Sequence, residues 1–266
     1  MANDDFRERE RDIIPQEDFS EHFYDPHLTP LFQVCSDEDL IPLRDYILKA
    51  WTNELKKVEA YQSNPDRPVT YINELVYEIR TFGGNTLANV VRGDGIPYEK
   101  IVKNVAKTIK VSLEGQESVP EIEWKILMKV LEKAMEKMPR EDKKNFENAL
   151  REELEKAGLS NADLKAGVPI GVLLAQVAAK EAGFVTYQVA LIVANSLSKK
   201  LLGRGLTLAA NAMLPRAISV VLGPIGIAIG VLLTVIPLAG PGYRVVIPCV
   251  CHVAYLRSKK DFQSLS

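Results

Sequence analysis

The stretch TFGGNTLANVVRGDG, Thr81 to Gly95, is either a phosphate cradle or punctuation between helices, and its reading decides how the chain is built. Read as a phosphate cradle, it would follow a strand and open a helix, and the chain would be an enzyme that turns over a nucleotide. A loop of that kind needs Gly-x-x-x-x-Gly-Lys-Ser/Thr after a strand, so that backbone N–H groups and the lysine surround the phosphates. The lysine is missing, and the preceding Tyr71, Leu75, Val76 and Ile79 recur at helical spacing. Gly83 and Gly84 therefore read as a left-handed helix C-cap, Asn85 as the next N-cap, and Gly93 with Asp94-Gly95 as a second stop and turn. On this reading the glycines punctuate helices and the fold is all-α. A helix start at Asn85, assisted by Arg92, leaves weak anion binding as the alternative use of the loop.

The same helical punctuation recurs along the chain. Ser36 with Asp39 is a capping-box-like start to the pattern Leu40, Leu43, Ile47, Leu48, Trp51, Leu55. QSNPDRPVT (Gln62 to Thr70) breaks the chain with two prolines. Pro97 suits a first helical position ahead of Ile101, Val102, Val105, Ala106 and Ile109. Ile122 to Met138 carries another apolar face, and Pro139 opens a helix through Phe146, Leu150 and Leu154 to Gly158. Ser160 and Asp163 repeat the capping signal where the composition changes. The expected organisation is a flexible N-terminal segment (1–24), an acidic helical module (25–160) and a hydrophobic, basic helical module (161–266).

Charge separates the modules. Residues 1–161 hold 23 Lys and Arg against 32 Asp and Glu, net −9, whereas 162–266 hold 10 against 3, net +7. No acid occurs from Ala182 to Lys260, which holds eight cations. A basic, apolar half points to an anionic partner. The opening MANDDFRERERD lacks the apolar core of a signal peptide, and three cysteines make a poor disulfide framework, so a cytoplasmic location is expected.

The C-terminal half is apolar enough to raise the question of lipid. Ala217 to Tyr243 is 27 residues without a charge, bounded by Arg216 and Arg244. As helix it would span about 40 Å, but Pro224, Pro237 and Pro241 interrupt it, and Gly226 with Gly230 forms a small-residue contact face. Ala166 to Ala179, Phe184 to Ser198 and Val245 to Leu256 are also apolar, each short for crossing a bilayer. Helices apolar all round belong in the centre of a bundle or in lipid. The membrane reading assigns surface contact to Lys199, Lys200, Arg204, Arg216, Gly226, Gly230 and Arg244, facing anionic headgroups. The competing reading is a soluble bundle that keeps a hydrophobic hairpin buried.

Three segments resemble the bacterial YaaW family: Asp25-Pro26-His27-Leu28 with Pro30-Leu31, EIRTFGGNTLANVVRGDGIPYEKIVKNVAKTIKV (Glu78 to Val111), and LAGPGYRVVIPCVCHVAYLR (Leu238 to Arg257). Part of that family looks like the all-helical ubiquinol-cytochrome c chaperone domain, so the resemblance implies a helical, chaperone-like module without known catalysis. No catalytic residue is carried over by it.

Chemistry candidates are few. His22 and His27 flank Asp25 but need further ligands to hold a metal. CVCH, with Cys249, Cys251 and His252, lacks the spacing of a haem attachment motif and reads as buried small hydrophobes. The expectation is a non-catalytic helical protein with no cofactor, no metal and no nucleic-acid partner. It would associate with the membrane, peripherally or by hairpin insertion, or instead bind proteins as a soluble chaperone-like module. A phosphate-using enzyme built on Asn85 and Arg92 is the third class.

Overall fold

The computed structural model describes residues 23–50, 52–84, 95–156, 183–207, 223–230 and 242–264. The described residues form helices and no strand. They are α1 (Thr29–Phe32), α2 (Asp37–Leu48), α3 (Glu59–Ser63), α4 (Ile72–Gly84), α5 (Tyr98–Thr108), α6 (Val119–Glu136), α7 (Arg140–Lys156), α8 (Gly183–Leu202) and α9 (Tyr243–Ser264). Short 3-10 turns occupy Leu55–Lys57 and Pro68–Tyr71. Residues 223–230 are also helical.

The local signals act where the sequence places them. Ser36 Oγ accepts the Asp39 N–H, and Asp39 Oδ2 accepts the Ser36 N–H, which closes the capping box of α2. Ser118 and Glu121 form a second box at α6. Gly203, at φ +76°, ends α8 in the left-handed conformation.

Two expectations are corrected. The helix from Ser36 stops at Leu48, and Leu55 belongs to a separate 3-10 turn. Gly83 is not a left-handed cap: it lies within α4, and the positive-φ glycines among the described residues are Gly95, Gly115 and Gly203. Gly83 is small for another reason. A Cβ there would fall 2.3 Å from Ile101 Cγ1, so its absence lets α4 and α5 pack closely. Asn85 and Arg92 lie outside the described residues, so the anion-binding candidate is not placed.

α9 is the centre of the bundle. It packs along α8 and against α2, α4, α5 and α6, and Val245 to Leu256 is buried throughout. The aromatic pairs Phe184–Phe262 and Tyr187–Tyr255 make α8 and α9 an antiparallel hairpin, with the end of α8 beside the start of α9. One apolar core draws on residues of both halves of the chain. Apart from exposed Phe184, the apolar segments Phe184 to Ser198 and Val245 to Leu256 are thus enclosed by amphipathic helices, whose apolar faces they fill. No described helix is long and apolar enough to cross a membrane. Of Ala217 to Tyr243, only 223–230 and 242–243 are described; Ala166 to Ala179 is not.

Candidate functional site

Three places on the α8–α9 hairpin concentrate polar chemistry. The first is a buried charge network on one flank of α9. Arg257 ends the apolar run of α9 and grips Glu123 of α6 with both arms of its fork, Nε to Oε2 at 2.8 Å and Nη2 to Oε1 at 3.2 Å. The Glu123 side chain is only 1% exposed. Arg257 Nη2 also donates to the His27 carbonyl at 3.2 Å. That carbonyl belongs to a turn built by Asp25, whose Oδ1 accepts the His27 N–H at 2.9 Å and whose Oδ2 accepts the Tyr98 N–H at 2.8 Å. Asp25 therefore caps α5 from 73 residues away and satisfies an orphan donor at its first turn.

Burial raises the Glu123 carboxyl above the usual carboxylate range, against the pull of Arg257. Burial also opposes the Arg257 charge, but the bonds to Glu123 more than restore it and leave the guanidinium pKa raised. The Tyr98 phenol is pushed up by burial and then by the Glu123 charge, and among the described residues its hydroxyl has no hydrogen bond of normal geometry. The network ties α9, α6 and α5 together. Sequence reading missed it; the available signals were a glutamate amid the apolar face Ile122, Ile126 and Leu127, and an arginine closing an uncharged run.

The second place is the opposite flank of α9. His252 Nε2 lies 2.8 Å from the Asp39 carbonyl, which can only accept, so the proton sits on Nε2 and Nδ1 is a buried acceptor with no partner among the described residues. Lys259 Nζ reaches both Asp39 oxygens, at 2.6 and 2.8 Å. Cys249 and Cys251 are buried free thiols, as their apolar setting implied. Burial pushes Cys251 up to about 12. His22 is outside the described residues, and no group of metal-ligating side chains occurs among those described.

Two buried titratable groups give a pH signature. Burial lowers His252 to about 4 and raises Glu78, which caps the 3-10 turn through the Glu54 N–H at 2.6 Å, to about 7. In the folded state His252 holds its proton less tightly than when unfolded, so its contribution is lost as pH falls from about 6.5 to 4. Glu78 holds its proton more tightly, so its contribution is lost as pH rises from about 4.5 to 7. Between about pH 4.5 and 6.5 the two slopes oppose each other. Glu78→Gln is expected to expose a stability that rises with pH in this window, and His252→Gln one that falls, each by about 2–3 kcal/mol. Urea midpoints at several pH values check this; parallel profiles for the two variants would refute it.

The third place is the closed end of the hairpin. Lys199, Lys200 and Arg244 are exposed and make no ion pair among the described residues. Arg204 differs, because it is bonded to Asp45 of α2. Gly230 is packed beneath the Lys200 stem, whereas among the described residues nothing lies within 4 Å of a Cβ built on Gly226. Ile227, beside Gly226, is 72% exposed. Arg216 lies outside the described residues.

At the other end of the hairpin a cleft of about 870 Å³ opens between the loop after α5, the first turns of α6 and the end of α9. Half-buried Trp124 and Met128 form its apolar wall, and Glu123 with Arg257 its floor.

The comparisons with known proteins agree with the family resemblance. The chain is 33% identical over 246 residues to a UPF0174 protein of Helicobacter pylori strain J99, covering 89% of this chain and 92% of that protein. A second UPF0174 protein of that strain is 31% identical over 209 residues, 77% of this chain and 97% of the relative. The UPF0174 protein YaaW of Escherichia coli K12 is 27% identical over 205 residues, 77% of this chain and 78% of the relative. No family model matches the chain, and no solved structure matches it. With a third of its residues shared along nearly the whole length of a relative, the chain belongs to the UPF0174 family.

Proposed function

We propose that this is a non-catalytic helical protein that docks, from the cytoplasmic side, on an anionic membrane surface through the closed end of the α8–α9 hairpin. The observation that carries the reading is the juxtaposition there of three unpaired cations, Lys199, Lys200 and Arg244, with exposed Ile227. Each cation near anionic lipid contributes about 1 kcal/mol, and burial of one isoleucine side chain about 1.5–3 kcal/mol. The sum, about 4.5–6 kcal/mol, corresponds to dissociation constants from about half a millimolar to tens of micromolar, so this surface supports reversible, salt-sensitive association rather than permanent anchorage. Arg204, engaged by Asp45, contributes less.

The test is co-sedimentation with phosphatidylglycerol-containing and pure phosphatidylcholine vesicles at low and high salt. Binding is expected only to the anionic vesicles and only at low salt. Lys199→Glu with Lys200→Glu and Arg244→Glu should reduce it at least about tenfold with the fold intact, because all three side chains face solvent. Absence of binding to anionic vesicles at low salt would overturn the reading.

A second reading has its own support. The apolar run of α9 is buried along its whole length, as a soluble chaperone-like protein that keeps its hydrophobic hairpin enclosed requires. The resemblance of part of the family to the ubiquinol-cytochrome c chaperone domain belongs with this reading, and failure of vesicle binding would favour it.

A further inference from the structure

We infer that the cleft between α6 and α9 is a docking site for a basic amphipathic helix of a partner protein. The inference is independent of the membrane proposal and concerns the opposite end of the hairpin.

Charge and shape both point to this occupant. Within the cleft, Glu117, Glu132 and Glu123 are neutralised by Lys125, Lys129 and Arg257. Glu121 is engaged in the Ser118 cap. Exposed Glu114 and Asp261 have no ion-pair partner among the described residues, and against them stands the single unpaired cation Lys110. The rim is therefore left negative. The acidic half of the chain, which supplies most of it, adds a long-range field of the same sign. The wall beneath the rim is apolar: Trp124 and Met128 are half-buried, one helical turn apart on α6, and Pro120 continues the line one turn earlier. Residues 120, 124 and 128 at i, i+4, i+8 make a strip along which an incoming helix can lay its own i, i+3/i+4 apolar stripe. A thioether and an indole suit such contacts, the first by adaptability and the second by area and affinity for cations. The volume, about 870 Å³, lies within the range of sites that bury a compact apolar group.

The position has a mechanical consequence. Thr186 borders the cleft and Lys199 stands at the other end of α8, 13 residues on, or about 20 Å along the helix axis. A partner held in the cleft and a membrane under the closed end would not compete for space.

The experiment uses the full chain and an 18-residue Leu/Lys peptide designed as an amphipathic helix, with a Leu/Glu peptide of the same pattern as its control. Calorimetry should show binding of the first and at least about tenfold weaker binding of the second. Met128→Lys should weaken the Leu/Lys peptide at least about tenfold, as should Glu114→Lys with Asp261→Lys. The last pair lies on the surface, so folding is retained. Glu59→Lys with Glu141→Lys, acids removed from exposed sites outside the cleft, should change affinity less than about threefold, as should Lys199→Glu with Lys200→Glu. Equal binding of both peptides, equal losses in the outside-cleft variant, or no binding of the Leu/Lys peptide would each overturn the inference. None of these outcomes bears on vesicle binding, so the two proposals fail separately.

Discussion

Arg257→Met is expected to lower the unfolding free energy by about 3–5 kcal/mol at neutral pH. The size follows from what is left behind. Glu123, 1% exposed, would lose both arms of the guanidinium fork and remain a buried carboxylate with no opposing charge. The His27 carbonyl would lose its donor as well, loosening the turn through which Asp25 caps α5. Two controls separate this cause from loss of packing. Glu123→Leu with Arg257→Met should recover most of the loss, because replacing both members of a buried pair by apolar groups is often near neutral. The single variant's deficit should also shrink in acid. With Arg257 gone, burial alone acts on Glu123 and raises its folded pKa further, so stability is retained below the unfolded value of about 4.5 and lost as pH rises through the folded one. Urea denaturation at about pH 5 and pH 8 checks both. A single variant within about 1 kcal/mol of the parent, or a double variant no better than the single, would mean that the pair is not what holds α6 to α9.

The helices were legible because their signals are local. Ser36 with Asp39, and Pro139, each act within a few residues of the chain, and the structure places a helix start at each. The burial of α8 and α9 was legible in kind but not in outcome. A helix apolar all round suits lipid and bundle centre alike, and only the packing of α2, α4, α5 and α6 around α9 shows which surroundings these segments have. The charge network was not legible at all. Asp25, Tyr98, Glu123 and Arg257 are spread over more than 230 residues, and a glutamate on an amphipathic helix ordinarily reads as part of its solvated face. The cation cluster was only partly legible. Sequence spacing puts Arg204 beside Lys199 and Lys200, but it cannot show that Asp45 faces it.

Gly95→Ala is expected to cost about 3–5 kcal/mol, and the reason corrects the reading of the stretch that first suggested an all-helical fold. Gly95 has φ +69°, a conformation that costs an L-residue about 1–2 kcal/mol. A Cβ there would also lie 2.6–2.8 Å from the backbone of Arg80 and Thr81, atoms of α4 that cannot rotate aside. The close approach has a purpose, since it brings the Ile96 N–H to the Arg80 carbonyl at 3.2 Å and so seats the start of α5 against α4. Gly83, twelve residues earlier, faces the side chain of Ile101 instead, so Gly83→Ala should cost less, about 1–3 kcal/mol, as Ile101 adjusts. Asparagine discriminates the two causes. Were Gly83 a left-handed cap, Gly83→Asn would be milder than Gly83→Ala, because asparagine tolerates positive φ. With close packing as the cause, the larger asparagine should be worse. At Gly95, asparagine relieves the dihedral but not the overlap, so Gly95→Asn should remain at least about 2 kcal/mol below the parent. Thermal and urea unfolding of the four variants gives the ranking. A Gly95→Ala protein as stable as the parent, or Gly83→Asn milder than Gly83→Ala, would show that the α4–α5 contact is not built on these two glycines.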